Sequence, residues 1–439
     1  MTFSQAQAYL LGTINETASR RMPNRLDRMR ALLAALGDPQ ETYPTIHVGG
    51  TSGKGSTSTM IAAALTESGK KTGLHTKPHL ASVTERARID GLAVSEDRFA
   101  EIMSMLVPII EQVASDHGRA SYYETLLAIA FVYFQQEQVD IAVIEVGVGG
   151  TLDGTNVLRH PQVSAITNIS YDHMDILGET LAEIAQNKVG IAKAGVPLVS
   201  DVGDPEARAV IEAGCAAVGV PFISVRDTVT LTPRSGERYG QSFEVTTPID
   251  RYELSLPVLG EFQQRNAATA IRVLEQVPDG LRPSRSAIEH GFSRLVIPGR
   301  MEFFPSHPTV VFDIAHNPDK ANALALALTS TFPDRRFTFV IAIGQSKDAP
   351  GILAPFTGLR ASFIFTSFIA DGRTSVRPQR LASIAEELGV WGRAIGDPVD
   401  AFAIARRNAD AEDVIVVTGS TFVVATLRDW WLANVASNV

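Results

Sequence analysis

Cysteine is almost missing from this chain: Cys215 is the one thiol among 439 residues. That excludes an intramolecular disulfide and any cysteine metal cluster, and it suits a reducing cytosol. Cys215 itself reads as a small buried apolar residue. Apolar runs of membrane-spanning length are also lacking, and Met1-Thr2-Phe3-Ser4-Gln5-Ala6 has no basic-then-apolar layout of a signal peptide. A soluble cytoplasmic protein with no membrane partner is therefore expected. Basic charge is in deficit. The formal net charge of −9 opposes nucleic-acid binding through the mean field and leaves room only for a local basic groove. Neither an internal repeat nor a low-complexity segment is present.

What is present suffices for large cores, since 45% of residues are hydrophobic and 20% charged. The length exceeds one ordinary core, so two or three domains are expected. Residues 4–37 read as helical, with Leu26, Met29, Leu32 and Leu33 at helical spacing and a stop at Gly37-Asp38-Pro39. Helices are predicted over 96–117 and 122–138, the second buried because it has little polar face. Residues 139–146 and 163–169 form continuous apolar strands of the kind found in buried parallel sheets. Alternating strands and helices at this spacing indicate a doubly wound α/β domain. Between about 225 and 260 shorter alternating segments read as antiparallel hairpins at the sheet edge, and helices resume at 263–276 and 284–294. Ile297-Pro298-Gly299-Arg300 is the predicted boundary. Beyond it, strands at 309–312, 337–343, 362–365 and 414–417 mark a smaller C-terminal Rossmann-like α/β domain, giving domains 1–296 and 297–439.

The stretch Gly49-Gly50-Thr51-Ser52-Gly53-Lys54-Gly55-Ser56 lies between an apolar strand and a helix. In that setting glycines let backbone N–H groups turn around phosphate oxygens, a lysine reaches the outer phosphates, and a hydroxyl takes magnesium. Lys54 and Ser56 fit those roles, although the spacing departs from the standard P-loop pattern. An ordinary glycine-rich turn is the plainer alternative. Glu145 ends an apolar strand and His173 lies just past another, so a parallel sheet would carry both to the edge that holds the loop. With Ser56 they could hold a magnesium bridging nucleotide phosphates. A solvated strand end and a core histidine are the respective alternatives. Lys188 falls at the centre of the stripe Leu181, Ile184, Ala185, Ala192 on a helix expected over 181–193, where an ammonium needs compensation. Either it snorkels or pairs with an acid, or its pKa falls and the amine can take up carbon dioxide as a metal-binding carbamate. Asp313 and His316 follow the second domain's first strand and suggest a ligand face, with a helix cap as the alternative for Asp313.

Taken together, these residues resemble the folylpolyglutamate synthase and dihydrofolate synthase family of the Mur-ligase superfamily. The resemblance is carried in order by the loop, by Pro78-His79-Leu80 with Thr84-Glu85-Arg86, and by Glu145-Val146-Gly147-Val148-Gly149-Gly150 with Leu152-Asp153 and Thr155-Asn156-Val157. Asp172-His173, Asn187-Lys188-Val189-Gly190-Ile191, Gln263 to Asn266-Ala267, Pro298-Gly299-Arg300, Asp313 with Ala315-His316-Asn317, and Lys347-Asp348 continue it. The resemblance implies an ATP-binding parallel-sheet domain, a C-terminal glutamate-ligase domain, and a monomer. The implied reaction phosphorylates a pterin-type carboxylate with ATP and lets the amine of L-glutamate displace phosphate. Thr51, Gly53, Lys54, Gly55 and Ser56 would serve the triphosphate; Ser56, Glu145, His173 and Lys188 two magnesium ions; Asn266, Arg300 and Asp313 the nucleotide; and His316 the incoming glutamate. Lys188 is the position that the family carbamylates, and a potassium ion is left open. One departure stands out: Lys77 occupies a place where the family has a serine that helps hold magnesium. A nucleotide-binding protein without ligase activity, or a P-loop phosphotransferase or NTPase, are the competing readings.

Overall fold

β1 (Thr45–Gly49), β5 (Ile141–Glu145) and β6 (Val163–Ile166) are buried along their whole length, which is why their sequences show no polar alternation. In the computed structural model, which describes residues 1–14, 25–234, 240–370 and 373–435, they form the centre of an eight-stranded sheet. The other members are β2 (Thr72–His75), β3 (Arg88–Ile89), β4 (Leu92–Ala93), β7 (Leu198–Ser200) and β8 (Phe222–Ser224). The order is β4-β3-β2-β5-β1-β6-β7-β8, with every strand running the same way except β3, which is antiparallel to both its neighbours near one edge. Because the strands run parallel, the turns after β1, β2, β5 and β6 share one edge, where such sheets bind ligands.

The helices Phe3–Leu11, Arg25–Ala35, Glu96–His117 and Tyr122–Gln136 close one core around Met29, Leu32, Phe99, Phe131 and Phe134. A second core gathers Ile184, Ile191, Leu198 and the fully buried Cys215. The predicted helix over 4–37 is interrupted, because Gly12 caps the first helix and a turn follows; residues 15–24 lie outside the described residues. Its stop is where Gly37 and Asp38 take positive φ. The hairpin segments β9 (Thr230–Pro233), β10 (Gln241–Thr246) and β11 (Arg251–Leu256) do not extend the large sheet as expected. They form their own antiparallel sheet, ordered β11-β10-β9. Its alternation buries Phe243, Val245, Leu254 and Leu256, and β11 packs on the Arg285–Ser293 helix, so this sheet is completed by a helix rather than by β8.

Two compact units result, one of Met1–Pro257 with Gln263–Leu295, the other of Val258–Phe262 with Val296–Val439. The second unit has a six-stranded sheet of β12 (Glu302–Phe304), β13 (Thr309–Phe312), β14 (Phe337–Ile341), β15 (Ala361–Phe365), β18 (Gly392–Ala394) and β19 (Val414–Thr418), in the order β12-β13-β19-β14-β15-β18. Only β12 runs antiparallel. A small ladder of β16 (Ile369–Ala370) and β17 (Arg373–Thr374) stands apart. Stacked Phe339 and Phe363, 5.4 Å apart, anchor the core of this α/β unit. Among the described residues no helix is long and apolar enough to cross a membrane.

Candidate functional site

The chain leaves β1 through Gly50 (φ +131) and Gly53 (φ +83) before Lys54 opens the helix Lys54–Glu67. Both glycines are required by space as well as by φ. A Cβ on Gly50 would lie 2.0 Å from Thr167 Oγ1, and one on Gly53 2.3 Å from Asn266 Oδ1. That second contact places Asn266, from the helix Glu261–Leu274, directly on the loop. The loop is pinned to the segment after β6: the Asn168 carbonyl accepts the Thr51 N–H at 2.9 Å, Asn168 Oδ1 accepts the Ser52 N–H at 2.7 Å, and Thr167 Oγ1 donates to the Ser52 carbonyl at 2.6 Å. Thr51 Oγ1 adds bonds with the Ser170 carbonyl and N–H at 3.2 and 3.1 Å. Sequence reasoning missed Thr167 and Asn168. Their signal was two polar residues closing an apolar strand.

Two lysines converge on one carbonyl. Lys54 Nζ donates to Gly50 O at 2.9 Å and Thr51 O at 3.0 Å, and Lys188 Nζ donates to Gly50 O at 2.9 Å. The predicted helix over 181–193 ends at Lys188, where a 3-10 turn Val189–Ile191 takes over, so Ala192 is not on its face. Lys188 is nonetheless buried, and the Gly50 carbonyl is its compensation. Burial lowers the Lys54 amine to about 8, with repulsion from Lys77 added and attraction to Glu145 and Asp172 opposing. Burial, then Lys54 and Lys77, push Lys188 well below the ordinary lysine range.

Glu145 ends β5 beside the start of the loop helix, since a Cβ on Gly55 would meet its Oε2 at 3.4 Å. It is 3% exposed, and it accepts the Lys77 N–H at 2.9 Å. Ser56 is a buried residue, and its hydroxyl has no hydrogen-bond partner among the described residues. Asp153 organises the turn after β5 by accepting from the N–H groups of Gly147, Val148 and Thr155 at 3.1, 2.8 and 3.0 Å and from Thr155 Oγ1 at 2.6 Å. His173 has φ +51, caps the short helix Met174–Leu177, and keeps its side chain 39% exposed with Nε2 3.9 Å from Asp172 Oδ1. Lys54, Ser56, Glu145, Lys188 and Asn266 are thus brought together, while His173 stands at the exposed side. No group of three or more His, Cys, Asp or Glu is arranged for a metal among the described residues.

The second unit carries its own candidate face. Asp313, just past β13, accepts the N–H groups of Met301 and Ala315 at 2.8 Å each, so it braces the turn rather than capping the helix Pro318–Thr331; Asn317 is that cap. Burial raises the Asp313 pKa against the pull of Arg300 and the two amides. His316 Nδ1 lies 2.8 Å from the Ile314 carbonyl, which fixes the proton there, and Nε2 is 3.4 Å from Lys320 Nζ. Burial and Lys320 hold its pKa well below the usual value, so the ring is neutral.

A parallel strand, a glycine turn pinned from the next strand, and a lysine at the following helix define a P-loop α/β protein. Comparison with known proteins narrows this. Residues 48–274 match the Mur ligase middle domain and residues 299–421 the Mur ligase glutamate ligase domain. The chain is 30% identical over 408 residues to the dihydrofolate synthase/folylpolyglutamate synthase of Bacillus subtilis (strain 168), covering 92% of this chain and 94% of that one. It is 35% identical over 412 residues to a probable bifunctional folylpolyglutamate synthase/dihydropteroate synthase of Haloferax volcanii, covering 92% of this chain but only 48% of that longer protein. Among solved structures, Escherichia coli FolC in complex with DHPP and ADP superposes with a TM-score of 0.86 at 27% identity, over 99% of this chain and 98% of that one. The chain belongs to the folylpolyglutamate synthase/dihydrofolate synthase family of Mur ligases.

Proposed function

We propose that the chain is an ATP-dependent amide ligase that adds L-glutamate to a pterin-type acid, dihydropteroate or a reduced folate, releasing ADP and phosphate. The observation that carries this reading is the Gly50 carbonyl held by both Lys54 and Lys188 at the start of a helix. Two lysine side chains gathered on one backbone oxygen mark the site, and the Lys54 ammonium among them is one that a polyphosphate satisfies better. Residues 1–296 act as the ATP-binding domain and 297–439 as the glutamate-ligase domain. Thr51, Gly53, Gly55 and Ser56 present the loop to the phosphates, Lys54 neutralises the transferring group, and Asn266 lies against the loop beside them. Arg300 and Asp313 serve the nucleotide. His316, neutral with Nε2 as acceptor, receives the ammonium of the incoming glutamate.

The residues present also fit magnesium. Ser56 offers a hydroxyl without a partner among the described residues, and Glu145 a carboxylate beside the neighbouring Gly55, both hard ligands. His173 is a further ligand, and the ion, when bound, neutralises phosphate charge. The depressed pKa of Lys188 leaves a free amine able to combine with carbon dioxide, releasing a proton and leaving a carbamate that serves a second magnesium. Potassium is a further candidate ion. The protein acts as a cytoplasmic monomer on small molecules, with neither nucleic acid nor membrane as a partner. The test is ADP release with magnesium-ATP: turnover requires acceptor and L-glutamate together, and Lys54→Met abolishes it. ADP formation that ignores both co-substrates contradicts the ligase reading in favour of an NTPase.

A further inference from the structure

Lys77 is absorbed neither by the loop nor by the proposed metal ligands, yet its backbone N–H is fixed on Glu145 Oε2 at 2.9 Å. The sheet order places it. The phosphate loop follows β1, Glu145 ends β5, and Lys77 follows β2, so along the edge β2-β5-β1 it lies across Glu145 from the loop. Lys188 approaches from the other side, on a helix beyond β6. Lys54 and Lys188 each spend their ammonium on backbone carbonyls. The partly buried Lys77 ammonium, in contrast, has neither a hydrogen bond nor an ion pair among the described residues. Lys54, Lys188 and Arg86 repel it, while Glu145, Asp153 and Asp172 attract it from beyond ion-pair distance. Arg86 is similarly underused: among the described residues its guanidinium makes one hydrogen bond, Nε to His79 Nδ1 at 3.1 Å.

We propose that Lys77 is a second phosphate-binding lysine of this site, beside Lys54, placed to hold the outer phosphoryl group as it passes from nucleotide to acceptor. An ammonium cannot ligate a metal ion, but it can supply the same positive charge to phosphate oxygens. On this account an incoming anion removes a cost that the free protein carries, because burial and like charges disfavour the unpaired ammonium. The inference rests on the ligase reading and names a phosphate contact inside it.

The test is calorimetric binding of ADP and of a β,γ-methylene ATP analogue, with magnesium, to the full chain and to Lys77→Met and Lys77→Arg. In Lys77→Met, affinity for the triphosphate falls about tenfold or more while ADP affinity changes less than about threefold, and Lys77→Arg stays near wild type. The melting temperature of nucleotide-free Lys77→Met equals or exceeds that of wild type, an outcome opposite to the loss of a structural lysine. A triphosphate-to-diphosphate ratio unchanged in Lys77→Met overturns the inference while leaving the ligase reading intact. Wild-type protein that binds neither nucleotide overturns both. Should Lys77→Met fail to fold, Lys77→Gln decides by the same ratio.

Discussion

At the scale of single residues, the phosphate loop is a set of spatial constraints that leave few substitutions. Gly53→Ala meets two of them, a φ of +83 and an Asn266 oxygen 2.3 Å from the new Cβ. The expected result is a loss of at least about 1 kcal/mol in stability and a marked loss of nucleotide affinity. Adding Asn266→Ala removes the overlap but not the φ strain, so calorimetry on the double variant should show affinity still below wild type. Lys54, Ser56 and Glu145 were legible in the sequence because strand-loop-helix context and strand-terminal carboxylates are local signals. The partner of Lys188 was not legible, since the burial of that lysine is a periodicity but the Gly50 carbonyl is 138 residues away. Thr167 and Asn168 escaped for the same reason: they act on the loop through chain-distant hydrogen bonds.

At the scale of elements, the helices Arg25–Ala35 and Tyr122–Gln136 are joined by a buried two-point pair, with Arg28 Nε and Nη2 donating to Glu124 at 3.0 and 2.9 Å. Glu124 also accepts the Ser121 N–H and so completes a capping box. Arg28→Met strands a carboxylate that is 2% exposed, and denaturant melts should register a loss of about 3–5 kcal/mol. Pairing it with Glu124→Gln should recover part of that loss, whereas strict additivity would contradict the coupling. Strand and helix order was readable because buried parallel strands and amphipathic helices carry distinct periods. The independence of the β9-β10-β11 sheet was not readable, since alternation reports one buried face without naming what covers it. The early end of the helix at Lys188 escaped too, because the apolar spacing continues into the 3-10 turn that follows.

At the scale of the whole molecule, two buried histidines make the fold acid-sensitive. Burial lowers His47 and His75 to about 3, and His47 Nδ1 and His75 Nε2 have no partner among the described residues. Their neutral forms fit the folded state, so this contribution is complete above about pH 6.5 and is lost as pH falls toward 3, by about 1.4 kcal/mol per pH unit per histidine. The drop in melting temperature between about pH 7 and 5 should shrink in His47→Gln/His75→Asn; an unchanged drop would assign the acid loss to carboxylates. The central claim concerns chemistry rather than stability: this α/β chain forms an amide between a pterin-type acid and L-glutamate. Its most direct test is the mass of the product after incubation with magnesium-ATP, L-glutamate and, separately, dihydropteroate or tetrahydrofolate. The account predicts that at least one acceptor gains one glutamyl unit, with ADP released in equal amount. ATP bound but neither acceptor changed in mass would contradict it.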